Sequence, residues 1–501
     1  MIIGIDVGTQ SLKVAILDDM LSVRGQGAVA YRPSHTRPGW AEQSPDLWLA
    51  ALGPAIAAAL KAAQAKPADI KGLGVCGQLD GCIAVDQAGR ALSPCIIWFD
   101  RRAGAEIVDV PAARVRAVCG QVLDPSHLAA KARWLKRHLQ ADAPIARFHQ
   151  PVSYVVEQLT GLAVIDHALA STSMLYALDE RGYDPALLEC FRIARAELPT
   201  PAPAEQCAGG LTRIGAELTG LPHGIPVAVG TGDDFATPLG GGLCVPGKVA
   251  VVLGTGEVVG ALHPLALRDE DGLLETHAYP GGAFFIENPG WLSGGGVTWI
   301  ADLLGGLDNA QFEALAASAP PGSDGLCFIP ALSGAMAPAW LPEMRGCFYG
   351  LTSSHGRAHM ARAVLEGCAF AMRDVVDRLT QMRVATDSLL LLGGGARSAT
   401  WAQMRADLTG RPAEVPDCVD SAPIGAAMLG MVAADLAPDL ASVARSLPLK
   451  CRTLLPDPTK FTIYDTAYQL YRRLFEVLRP LPTGPASQSN AAYVGSLRST
   501  H

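Results

Sequence analysis

Two adjacent aspartates, Asp233 and Asp234, follow a glycine turn close to the middle of the chain. The apolar run at residues 225–229 predicts a buried strand that leads into this turn. Carboxylates at a strand exit of an open α/β sheet face the crevice in which such folds bind ligands. The alternative is an acidic turn whose carboxylates bond their own backbone, as aspartates often do.

A second candidate site is a hairpin predicted at the N-terminus, with strands at residues 2–6 and 12–17. Its tip consists of small or polar residues: Gly8, Thr9, Gln10 and Ser11. Backbone N–H groups and hydroxyls at such a tip can cradle phosphate oxygens, and Asp6 at its base could hold Mg²⁺. The sequence is not a Walker loop, because a strand rather than a helix follows the glycine. An ordinary surface hairpin is the alternative.

The same pattern returns in the second half of the chain. A strand predicted at residues 249–253 runs into Gly254, Thr255 and Gly256, and further apolar residues follow. Two such turns, one in each half, suggest an internal duplication. A duplicated chain of this kind would clamp a nucleotide between two domains and close on it.

Amide, carboxylate and indole groups follow two further predicted strands. Gln78 and Asp80 come after residues 72–77, and Trp98 comes after residues 95–97. Amides and acids pair with hydroxyls, and an aromatic face covers C–H surface, so these groups suit a polyhydroxylated ligand. Polar loop residues beside a core tryptophan are the alternative. Residues 72–77 also match GxGxxG, but no helix begins after them, so they do not predict a dinucleotide site.

Two helices are predicted around the second turn. Residues 358–382 carry apolar side chains at helical spacing and predict a buried helix, in which Gly367 allows close packing. Ser398 follows the glycine run at residues 393–395 and is placed to cap the next helix. A plain strand-to-helix turn is the alternative for that glycine run.

Composition limits the classes of protein that this chain can be. A length of 501 residues predicts two domains. A net charge of −8 excludes the basic stripe that binds nucleic acid or anionic membranes. The longest low-charge stretch, residues 421–434, is too short for a bilayer span. The twelve cysteines are scattered singly and the N-terminus lacks a signal peptide, which predicts a cytoplasmic protein with reduced thiols.

The motifs together resemble those of the FGGY carbohydrate kinases and fall in that family's order between about residues 2 and 430. They are Asp6-x-Gly-Thr-Gln-Ser, Gly39-Trp-Ala-Glu-Gln43, Gly77-Gln78, Trp98-x-Asp-x-Arg102, Thr160-Gly161 with Asp166, Gly232-Asp233, Gly254-Thr255, Arg345-Gly-x-Phe-Tyr-Gly-Leu-Thr-x-Ser-His355, Arg362-Ala-Val-Leu-Glu-Gly367 and Gly393-Gly-Gly-Ala-Arg-Ser398 with Trp401 and Gln403. Within the family the resemblance is greatest to the members that phosphorylate xylulose.

The resemblance implies an α/β fold of the actin-like, ribonuclease-H-like ATPase type, with two domains and ATP and sugar in the cleft between them. We place the N-terminal domain at residues 1–244 and the C-terminal, nucleotide-binding domain at residues 245–479. The proline- and serine-rich residues 480–501 predict a flexible tail. A homodimer is implied as well.

The resemblance also implies a role for each candidate residue. Asp233 would be the base that accepts the proton of the sugar's terminal hydroxyl, and Asp6 and Asp233 would lie near Mg²⁺. The two glycine turns, Gly8–Ser11 and Gly254–Gly256, would bind the phosphates of ATP. The nucleotide-binding set is Gly394, Gly395 and Arg397, and the sugar-binding set is Gln78, Leu79, Asp80, Trp98 and Asp234. If residues 233–234 are extended, Asp234 points away from its neighbour.

Two positions depart from the family pattern. Members that act on D-xylulose usually carry Met-His where this chain has Leu79-Asp80. An ionised aspartate only accepts hydrogen bonds, so D-ribulose, L-xylulose and a tetritol compete with D-xylulose as the predicted acceptor. Glu257 puts an acid next to the second phosphate turn, where it would repel phosphate unless it points away or meets Mg²⁺.

Two other functional classes are compatible with such a fold. One is a sensor that binds sugar and nucleotide without turnover, but a sensor can lose its base and this chain keeps Asp233. The other is an ATP-driven chaperone or filament protein, for which the sugar-side residues Gln78 and Trp98 would have no use. An ATP-dependent kinase is therefore the predicted function.

Overall fold

The computed structural model describes residues 1–418 and 420–479. The tail predicted at residues 480–501 lies outside the described residues.

The strands of the described residues are β1 (Ile2–Val7), β2 (Ser11–Leu17), β3 (Val23–Ala30), β4 (Glu42–Gln43), β5 (Gly72–Gly77), β6 (Ile83–Val85), β7 (Cys95–Ile96), β8 (Arg147–His149), β9 (Val164–Asp166), β10 (Tyr176–Ala177), β11 (Gly182–Tyr183), β12 (Thr200–Ala202), β13 (Cys207–Gly210), β14 (Pro226–Ala228), β15 (Thr231–Gly232), β16 (Gly247–Leu253), β17 (Gly256–His263), β18 (Glu275–Ala278), β19 (Phe284–Leu292), β20 (Cys327–Ile329), β21 (Cys347–Tyr349), β22 (Thr386–Leu392), β23 (Ala413–Pro416) and β24 (Cys451–Leu454).

The α-helices are α1 (Pro45–Ala63), α2 (Ala112–Cys119), α3 (Leu128–His138), α4 (Pro151–Thr160), α5 (His167–Ser171), α6 (Pro185–Phe191), α7 (Arg213–Thr219), α8 (Asp233–Gly240), α9 (Gly294–Leu303), α10 (Asn309–Ala317), α11 (Arg357–Gln381), α12 (Ala399–Thr409), α13 (Ala422–Ala433), α14 (Leu440–Arg445) and α15 (Phe461–Leu478).

The first sheet has the strand order β13-β14-β5-β1-β2-β3, and β15 also pairs with β5. β1 and β2 form the predicted antiparallel hairpin, with Ile2 opposite Leu17 and Val7 opposite Leu12. β5 runs parallel to β1 on its other side. All residues of β1 are buried, as expected for a central strand covered on both faces by helices.

The second sheet has the order β18-β19-β17-β16-β22-β23-β24 and repeats the local arrangement of the first. β16 and β17 form an antiparallel hairpin, and β22 runs parallel to β16. Each sheet therefore contains a hairpin, an antiparallel strand beyond it and a parallel strand on its other side. The duplication suggested by the two Gly-Thr turns is present in the topology of the sheets.

Helix α13 lies between β23 and β24 of the second sheet in the chain but packs on β1 and β5 of the first sheet. A Cβ on Gly4 would lie 1.7 Å from the carbonyl oxygen of Pro423, and one on Gly74 would lie 1.8 Å from that of Ala426. Gly425 of α13 meets the backbone of α8 in the same way. α8 also contacts β16 and β22, so these two helices join the sheets through contacts between backbones.

Helix α1 is long and apolar enough to cross a membrane by length and composition, and it alone has these properties among the helices at residues 1–418 and 420–479. It packs on β2 and β3, where a Cβ on Gly25 or Gly27 would collide with the backbone of α1. Trp48 and Leu52 on this face are fully buried. The apolar face of α1 thus belongs to the core of the first sheet. The low-charge stretch noted in the sequence, residues 421–434, contains the whole of α13.

Two predicted helices are confirmed. α11 matches the helix predicted at residues 358–382, and a Cβ on Gly367 would lie 2.4 Å from the carbonyl oxygen of Phe328, so this glycine allows close packing. Ser398 caps α12 by accepting a hydrogen bond from the backbone N–H of Trp401 at 3.2 Å. The twelve cysteines are all free thiols.

Candidate active site

The turn between β1 and β2 carries the first set of predicted phosphate-binding residues. The N–H of Gly8 donates to the carbonyl of Ser11 at 3.1 Å, which closes the turn. The hydroxyl of Tyr31 donates to the carbonyl of Gly8 at 2.8 Å, and the N–H of Tyr31 donates to that of Gln10 at 2.9 Å. Gln10 remains exposed. The turn is therefore fixed from one side and open on the other, as an anion-binding turn requires.

A chain of side-chain hydrogen bonds connects this turn with the predicted sugar-binding residues. The amide of Gln78 donates to the amide oxygen of Gln43 at 2.6 Å, and Gln43 donates to the carbonyl of Thr9 at 2.6 Å. The indole of Trp98 donates to the hydroxyl of Thr9 at 3.1 Å. Gln78 is buried and its Oε1 atom has no hydrogen-bond partner. Gln78 and Trp98 thus meet at the phosphate turn through Thr9.

The loop that carries Trp98 is held by the motif residues around it. The buried carboxylate of Asp100 accepts a hydrogen bond from the N–H of Ala41 at 2.5 Å and pairs with Arg102 at 2.6 Å. The guanidinium of Arg102 lies 3.6 Å from the ring centre of Trp40. These contacts hold the motif at residues 39–43 against the motif at residues 98–102. The side chain of Trp98 remains partly exposed, at 45%.

Asp6 is buried in β1, and its Oδ1 atom has no hydrogen-bond partner among the residues that the structure describes. Burial and, to a smaller extent, the charge of Asp233 raise the pKa of Asp6 to about 8, and the charge of Lys13 opposes both. Lys13 pairs with Asp420 of the second half at 2.7 Å. The structure therefore brings Asp6 and Asp233 close enough for their charges to interact.

Asp233 and Asp234 lie in the first turn of α8, with Gly232 as the N-cap. The expectation of an extended segment is wrong at this point, because a helix N-terminus with its free N–H groups accommodates acids. Burial raises the pKa of Asp233 to about 6, against hydrogen bonds from the backbone. Burial, together with the charges of Asp233 and Asp80, raises the pKa of Asp234 well above its ordinary value. Asp233 thus interacts electrostatically with Asp6, and Asp234 interacts with both Asp233 and Asp80.

Asp80 follows β5 in a left-handed conformation with φ 58°. Its N–H donates to Gln150 at 2.8 Å, and the ammonium of Lys131 donates to its carbonyl at 2.7 Å. One carboxylate oxygen lies 3.2 Å from Nδ1 of His127, and the other has no partner. Leu79, its neighbour, packs against the core of the first sheet. A non-glycine residue held in this conformation by its surroundings is typical of functional sites.

The second glycine turn lies between β16 and β17. The N–H of Gly254 donates to the carbonyl of Gly256 at 3.0 Å. The N–H groups of Ser293 and Gly295, at the start of α9, donate to the carbonyl of Thr255 at 3.2 and 3.0 Å. The three turn residues are exposed. This turn also joins two antiparallel strands, but it is one residue shorter than the first turn, and a helix N-terminus supports it.

Glu257 points away from the second turn. It is fully buried and pairs with Arg405 through two bonds of 2.6 and 2.7 Å. The hydroxyl of Ser293 donates to the same carboxylate at 2.6 Å. The acid next to the turn is thus neutralised inside the second half and does not face bound phosphate.

The glycine run after β22 lies beside the second turn. Gly393 has φ 81°, and a Cβ there would meet the backbone of Leu253, the residue that precedes the turn. Gly394 is exposed, with open space where a Cβ would be. A Cβ on Gly395 would lie 2.9 Å from Leu253, and Arg397 is exposed. Gly394 and Arg397 therefore border solvent next to the second turn, as a nucleotide site requires.

Four titratable side chains near Asp80 are absent from the sequence prediction. They are His127, Glu275, His277 and Glu287. Glu287 lies in the apolar strand β19, and an acid in such a strand is a signal that could have identified it. His127, which precedes α3, carries no comparable signal in the sequence.

The fold and the site define a two-domain kinase architecture, and comparison with known proteins identifies the family. The family model described as "FGGY family of carbohydrate kinases, N-terminal domain" matches residues 1–240. The corresponding C-terminal domain model matches residues 249–434. The chain belongs to the FGGY family of carbohydrate kinases and is an ATP-dependent carbohydrate kinase. The family and the fold class predicted from the motifs are confirmed.

Relatives within the family differ in their acceptors. Xylulose kinase of Escherichia coli (strain K12) is 30% identical over 96% of this chain and 100% of its own length. Glycerol kinase of Gloeobacter violaceus is 33% identical, and the match covers 89% of this chain and 91% of that kinase. L-xylulose/3-keto-L-gulonate kinase of E. coli (strain K12) is 30% identical, and the match covers 95% of this chain and 97% of that kinase. The crystal structure of xylulose kinase from Rhodospirillum rubrum superposes with a TM-score of 0.87 at 29% identity, covering 96% of this chain and 99% of that one.

Proposed function

We propose that this kinase transfers the γ-phosphoryl group of ATP to the terminal hydroxyl of a ketopentose, with D-xylulose as the favoured acceptor and D-xylulose 5-phosphate as product. The observation that carries the proposal is the position of Asp233, at the start of α8 and within electrostatic reach of Asp6. The full-length likeness to a xylulose kinase supports the acceptor.

In the proposed reaction, Asp233 orients the acceptor hydroxyl and receives its proton. The hydroxyl oxygen forms a bond to the γ-phosphorus, the bond between that phosphorus and the β,γ-bridging oxygen breaks, and ADP leaves. The transition state of phosphoryl transfer is loose, so the proton departs late and a carboxylate suffices to accept it. The first and second glycine turns hold phosphates on either side, and Gly394, Gly395 and Arg397 border the adenosine.

The residues at Asp6 fit Mg²⁺. Asp6 keeps a buried carboxylate oxygen without a hydrogen-bond partner, and a cation there would relieve its repulsion with Asp233. No cluster of three or more potential ligands is found at residues 1–418 and 420–479, so phosphate oxygens and water would have to supply the remaining ligands of a bound Mg²⁺. When bound, Mg²⁺ neutralises charge on the transferring phosphoryl group.

The acceptor site consists of Gln78, Leu79, Asp80, Trp98 and Asp234 in this proposal. Gln78 and Asp80 each retain an unpartnered buried oxygen that accepts a hydroxyl. Because the likenesses to glycerol kinase and to L-xylulose/3-keto-L-gulonate kinase are of similar strength, other ketoses and polyols are the second candidates. A cytoplasmic location agrees with the free thiols and with the need for ATP.

The first test is Mg-ATP-dependent ADP release by the purified protein with a panel of ketopentoses, ketohexoses and polyols. We expect a clear rate with D-xylulose that far exceeds the rate with ATP alone. If only another acceptor gives a rate, the proposed substrate is wrong and the proposed mechanism is unchanged. No rate with any acceptor, together with measurable binding of sugar and ATP, would favour the sensor.

The base assignment is tested with Asp233→Asn, which should lower kcat by about 10²- to 10⁴-fold, the usual contribution of a general base. ATP binding measured by calorimetry should change by less than about threefold, because Asp233 acts on the acceptor. Asp142→Asn, at an exposed loop position, is the matched control and should keep the full rate. A variant at position 233 that retains most of its kcat would contradict the assignment.

A further inference from the structure

Asp80 is held at three points by side chains from other elements. Its N–H donates to the amide oxygen of Gln150 at 2.8 Å, and its carbonyl accepts from the ammonium of Lys131 at 2.7 Å. One oxygen of its carboxylate, Oδ2, lies 3.2 Å from Nδ1 of His127. The backbone of Asp80 has φ 58°, a left-handed conformation that a non-glycine residue keeps only when its surroundings impose it. The loop after β5 therefore presents this side chain in one position.

His127 lies between carboxylates from both halves of the chain. Its Nδ1 faces Asp80, and its Nε2 lies 3.9 Å from Oε1 of Glu275 in β18. The same oxygen of Glu275 accepts a hydrogen bond from the N–H of Val122 at 2.8 Å, which fixes it beside the ring. An imidazole carries an N–H at both ring nitrogens only when it is protonated, so carboxylates on both sides of the ring favour the charged form.

The positive charge of His127 strengthens its contact with Asp80. Burial lowers the pKa of His127, but the carboxylates of Asp80, Glu275 and Asp124 overcome this effect and raise it to about 9. At neutral pH the imidazolium therefore donates from Nδ1 to Oδ2 of Asp80. Such a charge-assisted bond is stronger than a bond between neutral groups, so it fixes the orientation of the carboxylate.

The second oxygen of the Asp80 carboxylate is left for a ligand. This atom, Oδ1, is buried and has no hydrogen-bond partner at residues 1–418 and 420–479. Buried polar atoms without partners are rare in folded proteins and call for an explanation. The charge of Asp80 contributes to the raised pKa of Asp234, so this oxygen lies near a second residue of the proposed acceptor site. Because a carboxylate oxygen only accepts, the group that fits it is a hydroxyl.

We propose that His127 is a positioning residue for the phosphoryl acceptor: it holds Oδ2 of Asp80 so that Oδ1 is directed at one hydroxyl of the acceptor. This inference rests on the proposed function, because it takes Asp80 as an acceptor contact. His127 acts through Asp80 and makes no contact of its own with the acceptor. Without the imidazolium, the carboxylate is free to leave its single orientation, and the acceptor loses a hydrogen bond in the ground state and the transition state alike. The loss therefore falls on KM for the acceptor and not on kcat.

The test measures steady-state kinetics of His127→Gln with the acceptor that gives the unchanged protein its highest rate. We expect KM for this acceptor to rise about tenfold or more, the usual worth of a hydrogen bond to a charged group, while kcat and KM for ATP change by less than about threefold. Arg133→Met is the matched control in the same helix. The buried guanidinium of Arg133 pairs with Asp109 at 2.6 Å, so its loss should destabilise α3 and leave KM for the acceptor unchanged.

A double-variant cycle separates positioning from general damage. Asp80→Asn alone should raise KM for the acceptor at least as much as His127→Gln, because it weakens the contact directly. Adding His127→Gln to Asp80→Asn should then change this KM by less than about twofold, since His127 acts only through the Asp80 carboxylate. The comparison of Asp80→Asn with the double variant decides the question even where His127→Gln alone does not fold, because the double variant leaves no unpaired charge at position 80.

Effects of the two substitutions that multiply in the double variant would overturn the inference. An equal rise of the acceptor KM in Arg133→Met would overturn it as well, because lost stability would then be the cause. Calorimetric binding of D-xylulose in the presence of ADP gives the same comparison without turnover. If no acceptor is phosphorylated, the proposed function fails, yet sugar binding that Asp80→Asn and His127→Gln weaken without adding would still support the role of His127. Absence of any sugar binding would refute both.

Discussion

The buried ion pair between Glu257 and Arg405 is expected to be a major source of stability for the second half. Both residues are fully buried, and their two hydrogen bonds measure 2.6 and 2.7 Å. Arg405→Met removes the cation but keeps aliphatic packing against Trp401, whose ring centre lies 4.5 Å from the guanidinium. Glu257 would then retain a single hydrogen bond, from Ser293.

The expected loss follows from the burial of the remaining charge. Removing one partner of a buried ion pair costs about 3–5 kcal/mol, and the bond from Ser293 offsets about 1 kcal/mol of this. We therefore expect Arg405→Met to lower the free energy of unfolding by about 2–4 kcal/mol. Because Glu257 directly follows the second glycine turn, KM for ATP should rise while KM for the acceptor stays constant.

Urea unfolding followed by tryptophan fluorescence measures this loss. Lys248→Met breaks a partly exposed pair with Glu414 in the same sheet and should cost about 1 kcal/mol or less. The double variant Glu257→Leu with Arg405→Met should recover to within about 1 kcal/mol of the unchanged protein, since no charge is left unpaired. If Arg405→Met costs no more than Lys248→Met, the reasoning from burial is refuted.

Two further predictions concern pH and metal. The pKa of His127 is about 9 in the folded protein and 6.5 in its ordinary state. The pairing of His127 with Asp80 therefore stabilises the folded protein fully below pH 6.5, and this stabilisation is lost as the pH rises through 9. His127→Gln should thus cost about 3 kcal/mol at pH 6 and little at pH 10 in urea unfolding; an equal cost at both would contradict this. MgCl₂ should raise Tm relative to EDTA, and Asp6→Asn should lose this shift; an undiminished shift would exclude Asp6 as a ligand.

Local patterns in the sequence predict the parts of the site that depend on neighbouring residues. The hairpins around Gly8 and Gly254 follow from short apolar strands that end in glycine. Helix α11 follows from the helical spacing of its apolar residues, and the cap at Ser398 follows from its place after a glycine run. In each case the residues that determine the structure lie within a few positions of one another.

The remaining features depend on residues far apart in the chain. The direction of Glu257 is set by Arg405, which lies 148 positions away. The four titratable residues near Asp80 that the sequence prediction missed come from both halves, and no hairpin motif marks them; they are His127, Glu275, His277 and Glu287. The start of α8 at Asp233 was missed because Gly232 and the nearby Pro238 argue against a helix when only local preference is considered. Packing against α13 favours a helix at Asp233 despite these local preferences.

The glycine contacts between α13 and the first sheet have a mechanical consequence. At Gly4 and Gly74 the backbone of the helix lies directly on the backbone of the strands, and a Cβ on either glycine would lie 1.7 or 1.8 Å from a carbonyl oxygen of the helix. This contact leaves no tolerance for bulk, because a single added methyl group would work as a wedge between the two halves.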